Sequence, residues 1–260
     1  MRIATWNVNS VRQRLTHLTG FLRDAAPDIV CLQEIKCVDE AFPSAEIEAC
    51  GYNVAVHGQK TFNGVALLSK LPFDEVKRGL PGDPSDEQAR YIEGVFSVGS
   101  GTLRVASIYL PNGNPAPGGK YAYKLAWMAR LKAHAEALLA LEEPLVLAGD
   151  YNVIPEAEDA RQPELWTADA LFLPDTRARF RELINLGFAD AFRACESDPG
   201  HYSFWDYQAG AWQRDNGIRI DHHLLSPQAL NRLKTVIIDR QQRDREKPSD
   251  HVPVIIELDI

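Results

Sequence analysis

Arg2-Ile3-Ala4-Thr5-Trp6-Asn7-Val8 opens the chain as an apolar run that reads as a β-strand. Asp28-Ile29-Val30-Cys31-Leu32-Gln33 reads as a second, fully buried one. Between them Val11, Leu15, Leu18, Phe21 and Leu22 recur at helical spacing, and Pro27 closes the helix. The order strand, helix, strand leaves a polar side chain at each strand end, Asn7 after the first and Glu34 after the second.

The same alternation continues along the chain. Residues 43–50 read as a short helix. Residues 52–57, 65–69, 91–98 and 103–109 read as strands, with a turn at Ser100-Gly101, and together suggest a β-meander. Residues 79–86 and 111–119 are Pro-, Gly- and Asn- or Asp-rich loops. Residues 121–141 form the clearest helix, with Leu125, Met128, Leu131, Ala135, Leu138 and Leu139 on one face. Residues 145–148 read as a strand running into Gly149-Asp150-Tyr151-Asn152, and residues 177–186 as a helix stopped by Gly187. Residues 218–225, 235–239 and 252–258 are the last strands. No stretch reads as a linker, so residues 1–260 are taken as one α/β domain with helices covering paired sheets. The two halves echo each other, with Glu34 and Asp150 as matched strand ends.

Composition narrows the function. The 260 residues are 45 % hydrophobic and 25 % charged, a globular balance. No run reaches the ~18 apolar residues of a membrane span, and the N-terminus does not resemble a signal peptide. Cys31, Cys37, Cys50 and Cys195 lack C-x-x-C spacing and read as reduced thiols of a cytoplasmic protein. The net charge of −8 excludes coating of nucleic acid by bulk charge. Yet arginine outnumbers lysine 19 to 9, which suits bidentate phosphate contacts. There is no G-x-S-x-G elbow, Walker loop or Gly-rich dinucleotide turn, so a nucleotide cofactor is not expected.

Five polar clusters abut apolar strands: Trp6-Asn7, Gln33-Glu34, Gly149-Asp150-Tyr151-Asn152, Arg219-Ile220-Asp221 and Ser249-Asp250-His251. A carboxylate there is costly unless it is paired or bound to a metal. Four carboxylates, two amides and a histidine make an oxygen-rich set that suits Mg²⁺ or Mn²⁺ better than zinc. Adjacent His222 and His223 should face opposite ways and make no metal pair. Metal-assisted hydrolysis of a phosphate ester fits these residue types. Tyr202, Phe204, Trp205, Tyr207 and Trp212, with Arg214 and Arg219 nearby, form an aromatic cluster. It reads either as a base-stacking surface or as a small core. Either Phe204 or Trp205 would face out.

These motifs, in this order, resemble the exodeoxyribonuclease III and apurinic/apyrimidinic endonuclease family of the wider endonuclease/exonuclease/phosphatase fold. The stretches that carry the resemblance are Ile3-Ala4-Thr5-Trp6-Asn7-Val8-Asn9, Leu32-Gln33-Glu34-Ile35-Lys36, Tyr109-Leu110-Pro111-Asn112, Gly149-Asp150-Tyr151-Asn152-Val153, Phe204-Trp205-Asp206-Tyr207, Gly217-Ile218-Arg219-Ile220-Asp221 and Pro248-Ser249-Asp250-His251-Val252-Pro253-Val254. The bacterial branch looks closer, on Glu246-Lys247-Pro248-Ser249-Asp250-His251, and Ile218, where animal members carry a tryptophan, is a feature of that branch.

The resemblance implies a four-layer α/β sandwich, with two mixed, mainly antiparallel β-sheets face to face and helices on both outer sides. It implies a DNA repair hydrolase acting on duplex DNA with 3′ to 5′ exonuclease, abasic-site endonuclease and 3′-phosphatase activity. It implies Mg²⁺, or Mn²⁺ in its place, held mainly by Glu34 within the oxygen-rich set Asn7, Asp150, Asn152, Asp221 and Asp250. Asp150 would orient or deprotonate the attacking water, with Asn152 fixing it and Asp221 in support. Tyr109, Asn112 and His251 would hold the scissile phosphate, with Asp250 pairing His251. Phe204 and Trp205 would line the sugar pocket, and Trp212, Arg214 and Lys36 would touch DNA. Lys60, Lys120, Arg177 and Arg179 are further phosphate contacts, and loops 112–120 and 156–174 would set substrate choice. A monomer is implied. The competing readings are a lipid or inositol phosphate phosphoesterase of the same fold and a catalytically inactive DNA-binding protein.

Overall fold

The structure is a computed structural model that describes residues 1–99 and 101–260. The turn read at Ser100 lies outside the described residues. In chain order the first elements are β1 (Arg2–Asn7), α1 (Leu15–Asp24), β2 (Ile29–Gln33), α2 (Ser44–Glu48), β3 (Asn53–His57), β4 (Val65–Ser69), β5 (Glu75–Arg78), β6 (Tyr91–Val98) and β7 (Gly101–Tyr109). Then follow α3 (Gly119–Leu139), β8 (Leu145–Asp150), α4 (Pro174–Asn185), β9 (Ala189–Asp190), α5 (Ala191–Cys195), β10 (Asp221–Leu225), α6 (Pro227–Leu230), β11 (Leu233–Ile238) and β12 (Val254–Leu258).

The strands form two six-stranded sheets, in the orders β11-β12-β1-β2-β4-β3 and β5-β6-β7-β8-β10-β9. Among the described residues only β1/β2 and β7/β8 pair in parallel; the other strand pairs are antiparallel. Ile3, Ile29, Cys31 and Leu67 of the first sheet pack on Phe96, Val105, Val146 and Leu225 of the second. The outer face of the first sheet, through Ala4, Trp6 and Leu32, is covered by Leu18, Phe21 and Leu22 of α1. The outer face of the second, through Ala106, Ile108 and Leu147, is covered by Trp127 and Leu131 of α3 and Phe180 and Leu183 of α4. This is the four-layer sandwich. Central strands buried on both faces show continuous apolar runs rather than alternation, which is why β2 is so legible.

The echo between halves has a structural basis. Each sheet holds one strand–helix–strand unit with parallel strands, β1-α1-β2 and β7-α3-β8. Both units end at the same edge of the sandwich. Ligands of such folds bind beyond the C-terminal ends of parallel strands.

Four details differ from the sequence reading. The meander is split: β3 and β4 join the first sheet, because β4 pairs with β2, and β5 to β7 join the second. β5 was not legible, since it is a mostly exposed edge strand with no apolar pattern. α1 starts at Leu15 rather than Val11, because Ser10 and Val11 donate their N–H groups to the Glu34 and Ile35 carbonyls instead. The buried face of α3 contains Tyr121, Lys124 and Trp127 while Leu125 is only half-buried, a rotation that brings a lysine inward.

Candidate active site

The two sheets deliver polar side chains to one edge by register. In the second sheet Tyr109 is opposite Asp150, and Asp150 is opposite Asp221, so three strand ends form one row. In the first, Asn7 is opposite Gln33 and Glu34 follows directly. His251 lies just before β12, which pairs with β1. Gly149 lets β8 approach β7 this closely: a Cβ there would lie 1.9 Å from the Ile108 carbonyl oxygen. Glu34 (φ 49°) and Asn152 (φ 47°) are both held in the left-handed region. Such backbone costs roughly 1–2 kcal/mol per residue and concentrates at functional sites.

Around these ends lies a cavity of about 270 Å³ lined by Glu34, Tyr109, Asp150, Asn152, Asp250 and His251, among others. One donor atom each from Glu34, Asp150 and His251 lies within 4.8 Å of the other two. The Asn7 amide nitrogen donates to Glu34 Oε1 at 2.8 Å and to Asp150 Oδ2 at 3.0 Å, so it holds the two carboxylates together. Asp150 Oδ1 also accepts from the Asn152 backbone N–H at 2.9 Å. His251 Nε2 is 3.7 Å from Asp150 Oδ2, and its Nδ1 donates to Asp221 Oδ2 at 2.9 Å.

The electrostatics follow from burial and these pairs. Burial pushes the Asp150 carboxyl up to about 7, with the Asp221 charge adding to it and the His251 charge opposing it. Burial disfavours the His251 charge, but Asp221 and Asp150 outweigh it and push the ring up to about 10, so it stands as an imidazolium. Burial also opposes ionisation of Glu34, yet the Lys36 ammonium and the Asn7 amide hold its carboxyl below the usual range. Burial, with Glu34 and Asp150 alongside, pushes the Tyr109 phenol well above its ordinary value. It is a neutral hydrogen-bond donor, not a phenolate.

A divalent cation fits this arrangement. A half-buried and a buried carboxylate share one amide donor, Lys36 Nζ lies 2.9 Å from Glu34 Oε2, and burial with the Asp221 charge disfavours the Asp150 carboxylate, a cost a cation beside it would offset. Of the ligand candidates, Glu34 and Asp150 each bring a carboxylate oxygen within 4.8 Å of the other's and of a His251 ring nitrogen. Asn7 faces them with its nitrogen. Asn152 spends its amide on Leu110 O and on Asn112 Nδ2. Asp221 is bound by Ser203 Oγ at 2.6 Å and by His251.

The pairing expected within Asp250-His251 is corrected: Asp221 holds the imidazole, and Asp250 instead accepts from Asn9 Nδ2 at 3.0 Å. Neighbours on extended chain point to opposite sides. The aromatic cluster divides. The Phe204 ring packs 4.9 Å from that of His251 and faces the cavity. Trp205 is fully buried with Tyr202, its indole nitrogen donating to Asp215. Trp212 packs on Trp205 and bonds Asp244. Neither tryptophan lines the cavity; Trp205, fully buried, is removed from the substrate-binding set, whereas Trp212 is half-buried. Arg219 is also buried, tied to Asp159 and Asp190.

Arg214 lines a second cavity of about 490 Å³ that adjoins the first through Phe204 and Trp166. Arg177 is spent on Glu156 and Arg179 on Glu182, whereas Lys120 is exposed. Lys36 and Lys60 share a separate groove with Arg12. His222 packs on Tyr151 and Phe180 while His223 faces Ile3, on opposite sides as the sequence implied. Sequence reasoning missed Asn9, Ser203, Trp166 and Asp169. Asn9, Ser203 and Asp169 are residues of common type outside the regular strands and helices, and Trp166 closes a short 3-10 turn within the 156–174 segment; no local pattern marks any of the four.

A cation-ready pair of carboxylates beside a fixed imidazolium and a neutral phenol is the equipment of a metal-assisted phosphoesterase. Residues 4–251 match the Endonuclease/Exonuclease/phosphatase family, and the chain belongs to it. Exodeoxyribonuclease III of Haemophilus influenzae is 35 % identical over 266 residues, covering 99 % of this chain and 100 % of that protein. The 3′ phosphatase NExo from Neisseria, solved bound to a product DNA hairpin, is 38 % identical with a TM-score of 0.96 over the whole of both chains. An AP endonuclease from Archaeoglobus fulgidus is 35 % identical with a TM-score of 0.95, again over both whole chains. Among the described residues no helix is long and apolar enough to cross a membrane.

Proposed function

We propose that this chain is a metal-dependent DNA repair nuclease that hydrolyses phosphodiester bonds of duplex DNA, acting at 3′ ends and at abasic sites. The observation that carries the reading is the convergence of Glu34, Asp150 and His251 at one cavity, with the imidazolium locked from behind by Asp221. Mg²⁺ is the metal we infer, with Mn²⁺ able to replace it, because carboxylate oxygen is a hard donor. Glu34 and Asp150 would hold it. When bound, the metal supplies charge neutralisation at the phosphate and the departing 3′ oxygen.

The chain's own groups do the rest. Asp150, fixed by the Asn7 amide and the Asn152 N–H, orients the attacking water and takes its proton. The His251 imidazolium and the Tyr109 phenol donate to non-bridging phosphate oxygens, and Asn112 adds an amide beside them. Such preorganised donors are usually the largest part of the rate gain. Phe204 meets the sugar. Loops 112–120 and 156–174, which supply Asn114, Trp166 and Asp169 to the cavity wall, select among substrates. The protein works as a monomer in the bacterial cytoplasm, where free Cys31, Cys37, Cys50 and Cys195 stay reduced.

The test is Mg²⁺-dependent turnover of three labelled duplexes, with an internal abasic analogue, a normal recessed 3′ end and a 3′ phosphate, beside an inositol polyphosphate. Cleavage of at least one duplex and not of the inositol compound is the expected result. Turnover of the inositol compound alone would replace DNA with a small phosphoester as substrate.

A further inference from the structure

Lys124 is the one lysine in the buried face of α3, among Tyr121, Trp127, Met128 and Leu131. It is 0 % exposed, and burial pushes its amino group down to about 7, so what it brings to this site is N–H donors rather than a fixed charge. Among the described residues it has no carboxylate within ion-pair distance. Its Nζ donates instead to two main-chain carbonyls, Asn112 O at 3.0 Å and Asn152 O at 2.6 Å.

Those two carbonyls belong to the loops that follow the parallel strands β7 and β8. The same two residues meet again on the cavity side, where Asn112 Nδ2 donates to Asn152 Oδ1 at 3.1 Å. Asn152 is further bound to Leu110 O through its amide and to Asp150 Oδ1 through its N–H. The Lys124 amino group thus closes a bracket from behind: Lys124, Asn112, Asn152 and then Asp150. The stem of Lys124 reaches this point across Gly113 (φ 92°), where a Cβ would lie 2.7 Å from Lys124 Cδ. A side chain at 113 would therefore displace it.

We propose that Lys124 is a positioning residue of the reaction: from outside the cavity it fixes the spacing of the Asn112 and Asn152 loops and, through Asn152, the aim of Asp150. This rests on the nuclease reading given above. Removing the amino group leaves two carbonyls without this donor, and the loops part while the strands stay in place. Misplacement of a reacting group by an ångström costs about a hundredfold in rate.

The test compares Lys124→Met, which keeps the stem and removes the donors, with Lys124→Arg, which restores donors. Each is measured for kcat and KM on duplex DNA, for thermal midpoint, and for the side-chain amide resonances of Asn112 and Asn152 in ¹⁵N-labelled protein. Lys124→Met is expected to lower kcat by about 10- to 100-fold with KM within about threefold, and to shift both amide resonances. Lys124→Arg is expected to recover much of the kcat. Amide resonances unmoved in a folded Lys124→Met protein would overturn the proposal, as would kcat within about threefold of wild type. A kcat that Lys124→Arg does not recover, or that falls only in step with the thermal midpoint, would overturn it too. If wild type turns over no duplex, the nuclease reading falls, while the resonances still decide whether Lys124 holds the loops.

Discussion

Asp221 and His251, thirty residues apart, are joined at 2.9 Å between Oδ2 and Nδ1, and the other ring nitrogen of His251 lies 3.7 Å from Asp150. The imidazole is thus clamped between two carboxylates from neighbouring strands β8 and β10. Asp221 fixes the ring's tautomer and charge, much as a carboxylate behind a metal-bound histidine does. Asp221→Asn is therefore expected to lower kcat by about 10- to 100-fold or more. Asp250→Asn, which removes no bond to the ring, should cost less. Steady-state rates on one duplex compare the two directly, and a larger loss at Asp250 would contradict the assignment.

Phe204 and Trp205 are adjacent but do different work. Trp205→Ala empties a fully buried site packed by Tyr202 and Trp212, and should cost about 3–5 kcal/mol of stability. Phe204→Ala opens a cavity wall, and should leave the thermal midpoint nearly unchanged while altering kcat/KM on DNA. Thermal melts and kinetics on both variants check the pair of outcomes together.

Glu93 gives the fold an acid limit. Burial opposes its ionisation, but His134, Tyr91 and Arg104 bond the carboxylate and hold it at about 2, against an ordinary 4.5. A depressed carboxylate contributes stability that is complete above pH 4.5 and is lost as pH falls toward 2. The contribution is about 3 kcal/mol. Denaturant melts of wild type should steepen in pH dependence across that window, and Glu93→Gln should flatten the curve. Equal slopes would remove Glu93 from the account.

Metal should stabilise the fold as well as activate it. Asp150 and Glu34 sit close together in a buried site, so saturating Mn²⁺ should raise the thermal midpoint by mass action, about 2.7 kcal/mol at a hundredfold excess over Kd. Glu34→Gln should abolish the rise. A rise that persists in Glu34→Gln would place the metal elsewhere.

The legible parts of this molecule share a cause. β1, β2 and β8 are buried on both faces, so they show as unbroken apolar runs, and the polar residue that ends each run stands out against them. Asn7, Glu34 and Asp150 are visible for that reason, and Asp221 and His251 because each stands at or just ahead of the start of an apolar run, β10 and β12. What stayed hidden depends on the third dimension. Which of two adjacent aromatics faces the cavity is set by the local path of residues 202–205. Which carboxylate holds His251 is set by the antiparallel register of β10 on β8. Lys124 lies in an otherwise apolar helical pattern, and only the rotation of α3 shows that it points inward. Ser203 and Asn9 matter solely through long-range hydrogen bonds.

Asp150 and its partners are proposed to form one metal-dependent phosphoesterase centre acting on DNA. Its most direct test is cleavage of a duplex with a recessed or phosphorylated 3′ end by wild type and by Asp150→Asn, each with Mg²⁺ and with EDTA. Turnover by wild type in Mg²⁺ and none in EDTA is expected, with a loss of at least about 10³-fold in Asp150→Asn at a thermal midpoint close to wild type when both are melted in EDTA. Undiminished cleavage by Asp150→Asn, or cleavage by wild type in EDTA, would contradict it.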